Sequence, residues 1–402
     1  METLAIDGGT PVRTRPFPQW PVFGEEEERL LLEALRSGGW GGTARNKLPE
    51  LERRFAELHD AAHAVTVVNG TLAITVALQA AGVNPGDEVI MPPYTFIATA
   101  TSALLFGAVP VFADVEPDTL ALDPDKVEAA ITPRTKAIVA VHIGGAPADM
   151  TRLKEIADRH GLRLIEDAAQ AAGAKWDGRG VGAIGDLGTF SFQSSKNVTA
   201  GEGGIILTNN GELADLAWSL ANVGRVREGG WYQHERIGWN LRMTEFQAAV
   251  LLAQLDRMEE QTAVRERNGR LLTELLSDIE GVRTLRRDER VTRHAWHLYM
   301  FKLAPELADR VDKRDIIRKL NAEGIPVSPG YVPLNKNEAV LREVEKWTGA
   351  RREYDCPVSE RAAEKEVLWL HQNVLLGGEE DMHDIAKAVR KVLRAAARNA
   401  SL

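Results

Sequence analysis

From about residue 65 to residue 210 the chain alternates short apolar runs with longer stretches in which apolar positions recur every three or four residues. Residues 65–68, 88–91, 109–115, 137–142 and 162–167 read as strands, and residues 72–81, 94–106, 123–131 and 150–159 as the helices between them. The strands are near-continuous apolar runs, as expected where both faces of a sheet are covered. Strand–helix–strand units of this length imply parallel pairing through right-handed crossovers. Two more runs, residues 187–192 and 205–208, extend the series, so the predicted fold class is α/β with a mainly parallel sheet.

A long helical pattern over residues 244–258 follows, and beyond about residue 262 the texture changes. Helices over 263–276, 313–323 and 382–397 surround fewer strands, at 296–303 and 325–328. This predicts a large α/β domain with an N-terminal arm over residues 1–260 and a smaller α+β domain over 261–402, with residues 395–402 fraying. A length of 402 residues agrees with two domains. The net charge of -9, with no dense Lys/Arg cluster, argues against a nucleic-acid partner. One cysteine, Cys356, builds no disulfide framework, and neither a signal-peptide pattern nor a bilayer-spanning apolar run is present. The expected compartment is the cytoplasm.

The candidate chemistry centres on Lys196, in Ser191-Phe-Gln-Ser-Ser-Lys196, which follows a β-prone run and precedes Gly201-Glu-Gly-Gly. A lysine at the end of a sheet is partly desolvated, and a lowered pKa makes it a Schiff-base nucleophile. Residues 162–167 form a strand that ends on Asp167. A strand-end acid and a later strand-end lysine are what pyridoxal phosphate requires: a partner for the pyridinium nitrogen and an amine for the aldehyde. In open parallel sheets ligands sit outside the carboxyl ends of the strands. Asn69-Gly70-Thr71, Tyr94-Thr-Phe96, Gln170 and Ser191 all fall at that predicted edge. Each has a plain alternative: Thr71 as an N-cap, Phe96 as core, Gln170 as surface, Ser191 as an outward strand residue. Their common position raises the functional reading.

Several motifs together resemble the DegT/DnrJ/EryC1/StrS family of pyridoxal-phosphate-dependent sugar and aminocyclitol aminotransferases, of the aspartate-aminotransferase fold. They are Gly8-Gly-Thr-Pro-Val-Arg, Ser37-Gly-Gly-Trp40-Gly, Asn69-Gly-Thr-Leu-Ala, Pro93-Tyr-Thr-Phe-Ile-Ala-Thr, Glu166-Asp-Ala-Ala-Gln-Ala, the Lys196 motif, and Gly238-Trp-Asn240-Leu-Arg-Met-Thr-Glu. The branch with scyllo-inosose aminotransferases and 3-amino-5-hydroxybenzoate synthase is the nearest in pattern. The resemblance implies that Lys196 holds the cofactor and moves a proton, that Asp167 pairs with the ring nitrogen, and that Gln170 bonds the ring's phenolic oxygen. It implies that Phe96 stacks on the ring and that Gly70, Thr71 and Ser191 bind the phosphate. Asn240 would reach the phosphate of the other subunit, so an obligate homodimer is implied. Trp40 and Tyr331 would approach the substrates; Arg242 would bind a carboxylate or pair with Glu245 three residues on. The implied reaction is ping-pong transfer of an amino group from L-glutamate or L-glutamine to a keto-sugar or keto-cyclitol.

Ala172 stands where many members of that family have His, and Trp239 where Tyr is more usual; both bear on the acceptor pocket. The alternatives are a dehydratase of the 3-amino-5-hydroxybenzoate synthase type, a sugar-deoxygenating relative, which would replace Lys196 by His, and a non-catalytic regulator, which would lose Lys196 or Asp167. Gly180-Val-Gly-Ala-Ile-Gly185 satisfies G-x-G-x-x-G, but a strand and not a helix is predicted to follow, so a Gly-rich turn between strands is the better reading. His63, His142, His294, His297 and His371 show no metal-ligand spacing, and His142 reads as a structural histidine.

Overall fold

The computed structural model describes residues 2–399. Seven strands form its central sheet: β1 His63–Val67, β2 Glu88–Met91, β3 Val109–Phe112, β4 Thr135–Val141, β5 Arg163–Asp167, β6 Leu187–Ser191 and β7 Gly204–Thr208. Their order is β1-β7-β6-β5-β4-β2-β3. The pairs β3–β2, β2–β4, β4–β5 and β5–β6 are parallel. The expectation of parallel pairing fails at β7, which runs antiparallel to both β6 and β1. The reason is local: residues 192–203 contain no helix, so the chain returns through a loop without crossing over. Two reversals cancel, and β1 ends at the same edge as β6. Val67 and Ser191 both pair with Gly204.

Eight helices accompany this sheet: α1 Glu25–Ser37, α2 Leu48–Leu58, α3 Gly70–Ala80, α4 Ala98–Leu104, α5 Pro124–Ala129, α6 Met150–His160, α7 Gly211–Ala221 and α8 Glu245–Ser277. One apolar layer joins α1, α2, α6 and α8 to one face of the sheet. The other joins α3, α4 and α7 to the opposite face. Coverage of both faces explains why every residue of β2, β3 and β7 is buried. Each α3 and α6 start is fixed by a side-chain cap: Leu72 N donates to Asn69 Oδ1 (2.9 Å) and Arg152 N to Asp149 Oδ1 (3.0 Å). Thr71 is therefore not the cap. The helix expected over 94–106 begins only at Ala98, which leaves Thr95 and Phe96 in irregular backbone at the sheet edge.

The patterns over 244–258 and 263–276 are one 33-residue helix, α8. Glu259-Glu-Gln-Thr262 contains neither Gly nor Pro, so nothing stops propagation between them. Ala248 to Leu252 of α8 pack under the large sheet, while Leu272 and Leu276 pack in a second core. That core lies on a three-stranded antiparallel sheet of β8 Val282–Thr284, β9 Leu298–Leu303 and β10 Val367–His371, in the order β8-β9-β10. The strand expected over 325–328 is only a bridge between Ser328 and Trp369. The N-terminal arm packs on this smaller lobe. Arg13 is buried against Asp381 (2.6 Å) and Asp384 (2.9 Å), and Glu323 accepts from Ala5 N and Val12 N. The final helix, Glu379–Asn399, is regular where fraying was expected, and residues 400–402 lie outside the described residues. No helix among the described residues is long and apolar enough to cross a membrane.

Candidate active site

A cavity of about 550 Å³ opens at the carboxyl edge of the large sheet, against β9 and β10 of the smaller lobe. Its floor is Asp167, the last residue of β5, which is 6% exposed. Thr99 Oγ1 donates to Asp167 Oδ2 (2.8 Å), and Ala169 N donates to Oδ1 (3.2 Å). Because the carboxylate takes the Thr99 proton, Thr99 accepts from Thr95 Oγ1 at 3.1 Å. Lys196 lies in the loop after β6, held by its backbone N–H to Gln193 O (2.9 Å). Its amine has no hydrogen-bond or ion-pair partner among the described residues and lines the same cavity. Burial pushes the Lys196 amine down to about 8, against the Asp167 charge, which favours the ammonium.

One end of the cavity is built to accept an anion. Gly70 and Thr71 open α3, whose first amides face outward with the positive end of the helix dipole. A Cβ on Gly70 would come within 2.6 Å of Ser191 Cβ, so only glycine lets the helix start approach β6 this closely. The Ser191 hydroxyl accepts from Gln193 N at 3.3 Å and retains its own proton to donate. Phe96, 54% exposed, forms another wall, with its ring 6.4 Å from that of Tyr331. Gln170 is fixed at both ends: Gly144 N donates to Oε1 (2.6 Å) and Nε2 donates to Tyr331 OH (2.7 Å). Tyr331 packs edge-on against Trp369 at 4.6 Å, and burial pushes its phenol pKa up.

Two histidines enter the cavity that sequence reasoning left unassigned, His297 and His371. Asn197, next to Lys196, spends its amide on Ala295 O (2.7 Å), so its Oδ1 accepts from His297 Nδ1 (3.1 Å). That fixes the proton on Nδ1 and leaves Nε2 as a lone pair. Burial first, and then the positive charge of Lys196, holds His297 well below the ordinary histidine range, so it stays neutral. The spacing of these histidines gave no hint, because β9 and β10 bring them in from distant sequence. Trp369, on β10, was missed for the same reason; Thr95, Thr99 and Glu202 stand in motifs already singled out, but their part in the cavity depends on which side chains face Asp167 and Lys196.

His142 is structural. Its Nδ1 accepts from Ala148 N (3.0 Å), so Nε2 carries the proton and donates to Glu166 (2.9 Å). Glu166, fully buried beside Asp167, also accepts from Gly182 N (2.7 Å), Ile184 N (2.8 Å) and Gly185 N (2.7 Å). The G-x-G-x-x-G segment is thus an anion-holding turn filled by this chain's own carboxylate, and no helix follows it.

Three candidates lie elsewhere. Asn240 is exposed, bridges Asn222, and is not a lining residue of this cavity. Trp40 donates its indole N–H to Leu35 O (3.0 Å) and packs on Phe246. Arg242 lines a different cavity, and Glu245 does not pair with it: Glu245 accepts from Asn46 N and Lys47 N. Neither Ala172 nor Trp239 lines the cavity in this chain.

The donor set fits a flat, phosphate-bearing pyridine aldehyde. It has amides and a hydroxyl for the anion, a ring face, an anchored carboxylate and an unpaired amine. The model of the DegT/DnrJ/EryC1/StrS aminotransferase family matches residues 22–390. The chain is 43% identical over 416 residues to an L-glutamine:2-deoxy-scyllo-inosose aminotransferase of Streptomyces kanamyceticus, covering 97% of each chain. It is 39% identical over 379 residues to a 3-amino-5-hydroxybenzoate synthase of Amycolatopsis mediterranei, covering 93% of this chain and 96% of that one. The crystal structure of a 3-amino-5-hydroxybenzoic acid synthase superposes with a TM-score of 0.87 at 36% identity, over 95% of this chain and all (100%) of the other.

Proposed function

Because the chain belongs to the DegT/DnrJ/EryC1/StrS aminotransferase family, we propose that it transfers the α-amino group of L-glutamine to a keto-cyclitol of the deoxy-scyllo-inosose class. The observation that carries the reading is the unpaired Lys196 amine facing the anchored Asp167 carboxylate in one cavity with an anion-accepting end. The names of the relatives supply the substrate class.

Pyridoxal phosphate, when bound, supplies an aromatic ring that accepts the electron pair released at the substrate's α-carbon and carries the nitrogen from donor to acceptor. Gly70, Thr71 and Ser191 would hold the phosphate, aided by the α3 dipole. Asp167 would keep the ring nitrogen protonated; Thr99 and the Ala169 amide orient that carboxylate. Phe96 would cover a ring face, and Gln170 Nε2, which keeps a second N–H, would serve as a donor to the ring oxygen. Lys196 Nζ, with a pKa near pH 8, takes a proton from carbon in one half of the cycle and returns one in the other. Neutral His297 offers Nε2 as a proton acceptor in the same cavity, and Tyr331 would face the acceptor substrate.

The reading includes a homodimer with shared sites. Asn240 lies outside its own chain's cavity, on the flank of a loop that exposes Trp231 (80%), Tyr232 (78%) and Ile237 (89%). Such apolar exposure is the mark of a covered surface. Light scattering should give twice the 44.1 kDa chain mass.

The test is L-glutamine labelled with ¹⁵N at the α-position, mixed with holoenzyme and a panel of keto-cyclitols, keto-sugars and cyclic keto acids. The expected products are 2-oxoglutaramate and a ¹⁵N-amino-cyclitol. Label appearing only in an aromatic amino acid product would replace this reading by that of the synthase-type relative. No transfer to any acceptor would overturn both.

A further inference from the structure

We infer that a second, small anion site lies between Arg225 and Arg242. It sits in a cavity of about 160 Å³ that shares no lining residue with the cavity around Lys196. Arg45 and Glu52 also face it. Glu52 is already matched: it accepts from Arg45 Nη2 (2.9 Å), Thr66 N (3.1 Å) and Thr66 Oγ1 (2.9 Å). Arg225 and Arg242 have no acidic partner among the described residues. Arg225 Nε and Arg242 Nη1 are buried and lack any hydrogen-bond partner. A buried, unpaired guanidinium N–H is costly unless something accepts from it. Burial and the neighbouring Arg225 charge both lower the Arg242 pKa, as expected for cations held together without a counter-ion.

Charge and size define the ligand. Three arginines and one glutamate leave two positive charges facing the cavity. A dianion balances them, and two guanidinium forks match tetrahedral oxyanions such as phosphate or sulfate. Pockets for drug-sized molecules run about 300–1,000 Å³. This one has room for a single phosphate- or sulfate-sized ion. The site also joins distant pieces of chain. Arg242 follows Leu241, whose N–H bonds Ala221 O (3.0 Å) and whose O accepts from Val68 N (2.8 Å). Arg225 opens the loop that carries Trp231 and Tyr232. A bound dianion therefore pins the base of that loop to α2 and β1.

The experiment uses cofactor-loaded protein, so that inorganic phosphate cannot act at the Gly70–Ser191 end of the active site. Thermal unfolding is followed as phosphate replaces chloride at constant ionic strength. A saturable rise in the midpoint is expected. In Arg225→Gln and Arg242→Gln the apparent affinity should fall by about tenfold or more, whereas Arg283→Gln, on the other lobe, should respond like wild type. Crystals of the wild type grown in selenate should show an anomalous peak between the two guanidinium groups. A flat phosphate response in wild type, variants at Arg225 and Arg242 that respond with wild-type affinity, or density showing a carboxylate of a second copy in the cavity would each overturn the proposal.

Discussion

Replacing Asp167 by Asn should make Lys196 a better nucleophile and the protein a far worse catalyst. The Lys196 amine titrates at about 8, pushed down by burial and pulled up by Asp167. At pH 7 about one amine in ten is then neutral, against roughly one in 2,500 for a lysine at the usual value of about 10.4. Asp167→Asn removes the upward pull. Opposite charges at close range shift a pKa by about 1–3 units. A fall of about one unit makes about half of the amines neutral at pH 7, a rise of about fivefold. The fold should survive. The new amide keeps an oxygen for Ala169 N, and Thr99 can turn its hydroxyl to accept from the amide and donate to Thr95. The rate of reductive alkylation of Lys196 by formaldehyde in cofactor-free protein, read by mass spectrometry against a surface-lysine peptide across pH, reports the titration. Transamination by the reloaded variant should drop by at least about a hundredfold, in line with the loss of a positioned proton partner. A Lys196 titration that stays put or moves up in the variant would refute the electrostatic account of this amine.

Two further outcomes follow from the geometry. Glu166→Gln exposes three amide donors and His142 Nε2–H to a half-donor group, and should cost about 3–5 kcal/mol, as for a broken buried pair; chemical denaturation measures it. The wild-type Glu166 pKa is lowered in the fold, so its contribution is present above the ordinary carboxylate pKa and is lost as pH falls through the lowered one. The variant should therefore show a weaker loss of stability in acid than wild type, and an identical acid dependence would contradict this. Gly70→Ala places a Cβ 2.6 Å from Ser191 Cβ, so cofactor affinity measured by fluorescence titration should fall by tenfold or more, about 1.4 kcal/mol, and an unchanged affinity would remove the α3 start from the phosphate site.

The sequence by itself determined the alternation that builds the sheet, the strand-end placement of Asp167 and Ser191, and the Lys196 motif. Hydrophobic periodicity is local, and a strand that ends on a polar residue delivers that residue to the sheet edge whatever surrounds it. The direction of β7 follows from a local connection without a helix, but its partner did not: pairing with β1, from more than a hundred residues earlier, cancels the reversal and brings Gly70 beside Ser191. The absence of Gly and Pro at 259–262 lets α8 run on as one helix, while only the tertiary structure shows that its two halves serve different cores. The lowered Lys196 pKa, the neutral His297 and the Thr95–Thr99–Asp167 chain exist only once β9, β10 and α4 close around one cavity. Burial and hydrogen-bond partners are properties of neighbours far apart in the chain, so tertiary structure alone decided how those residues are charged and where they point.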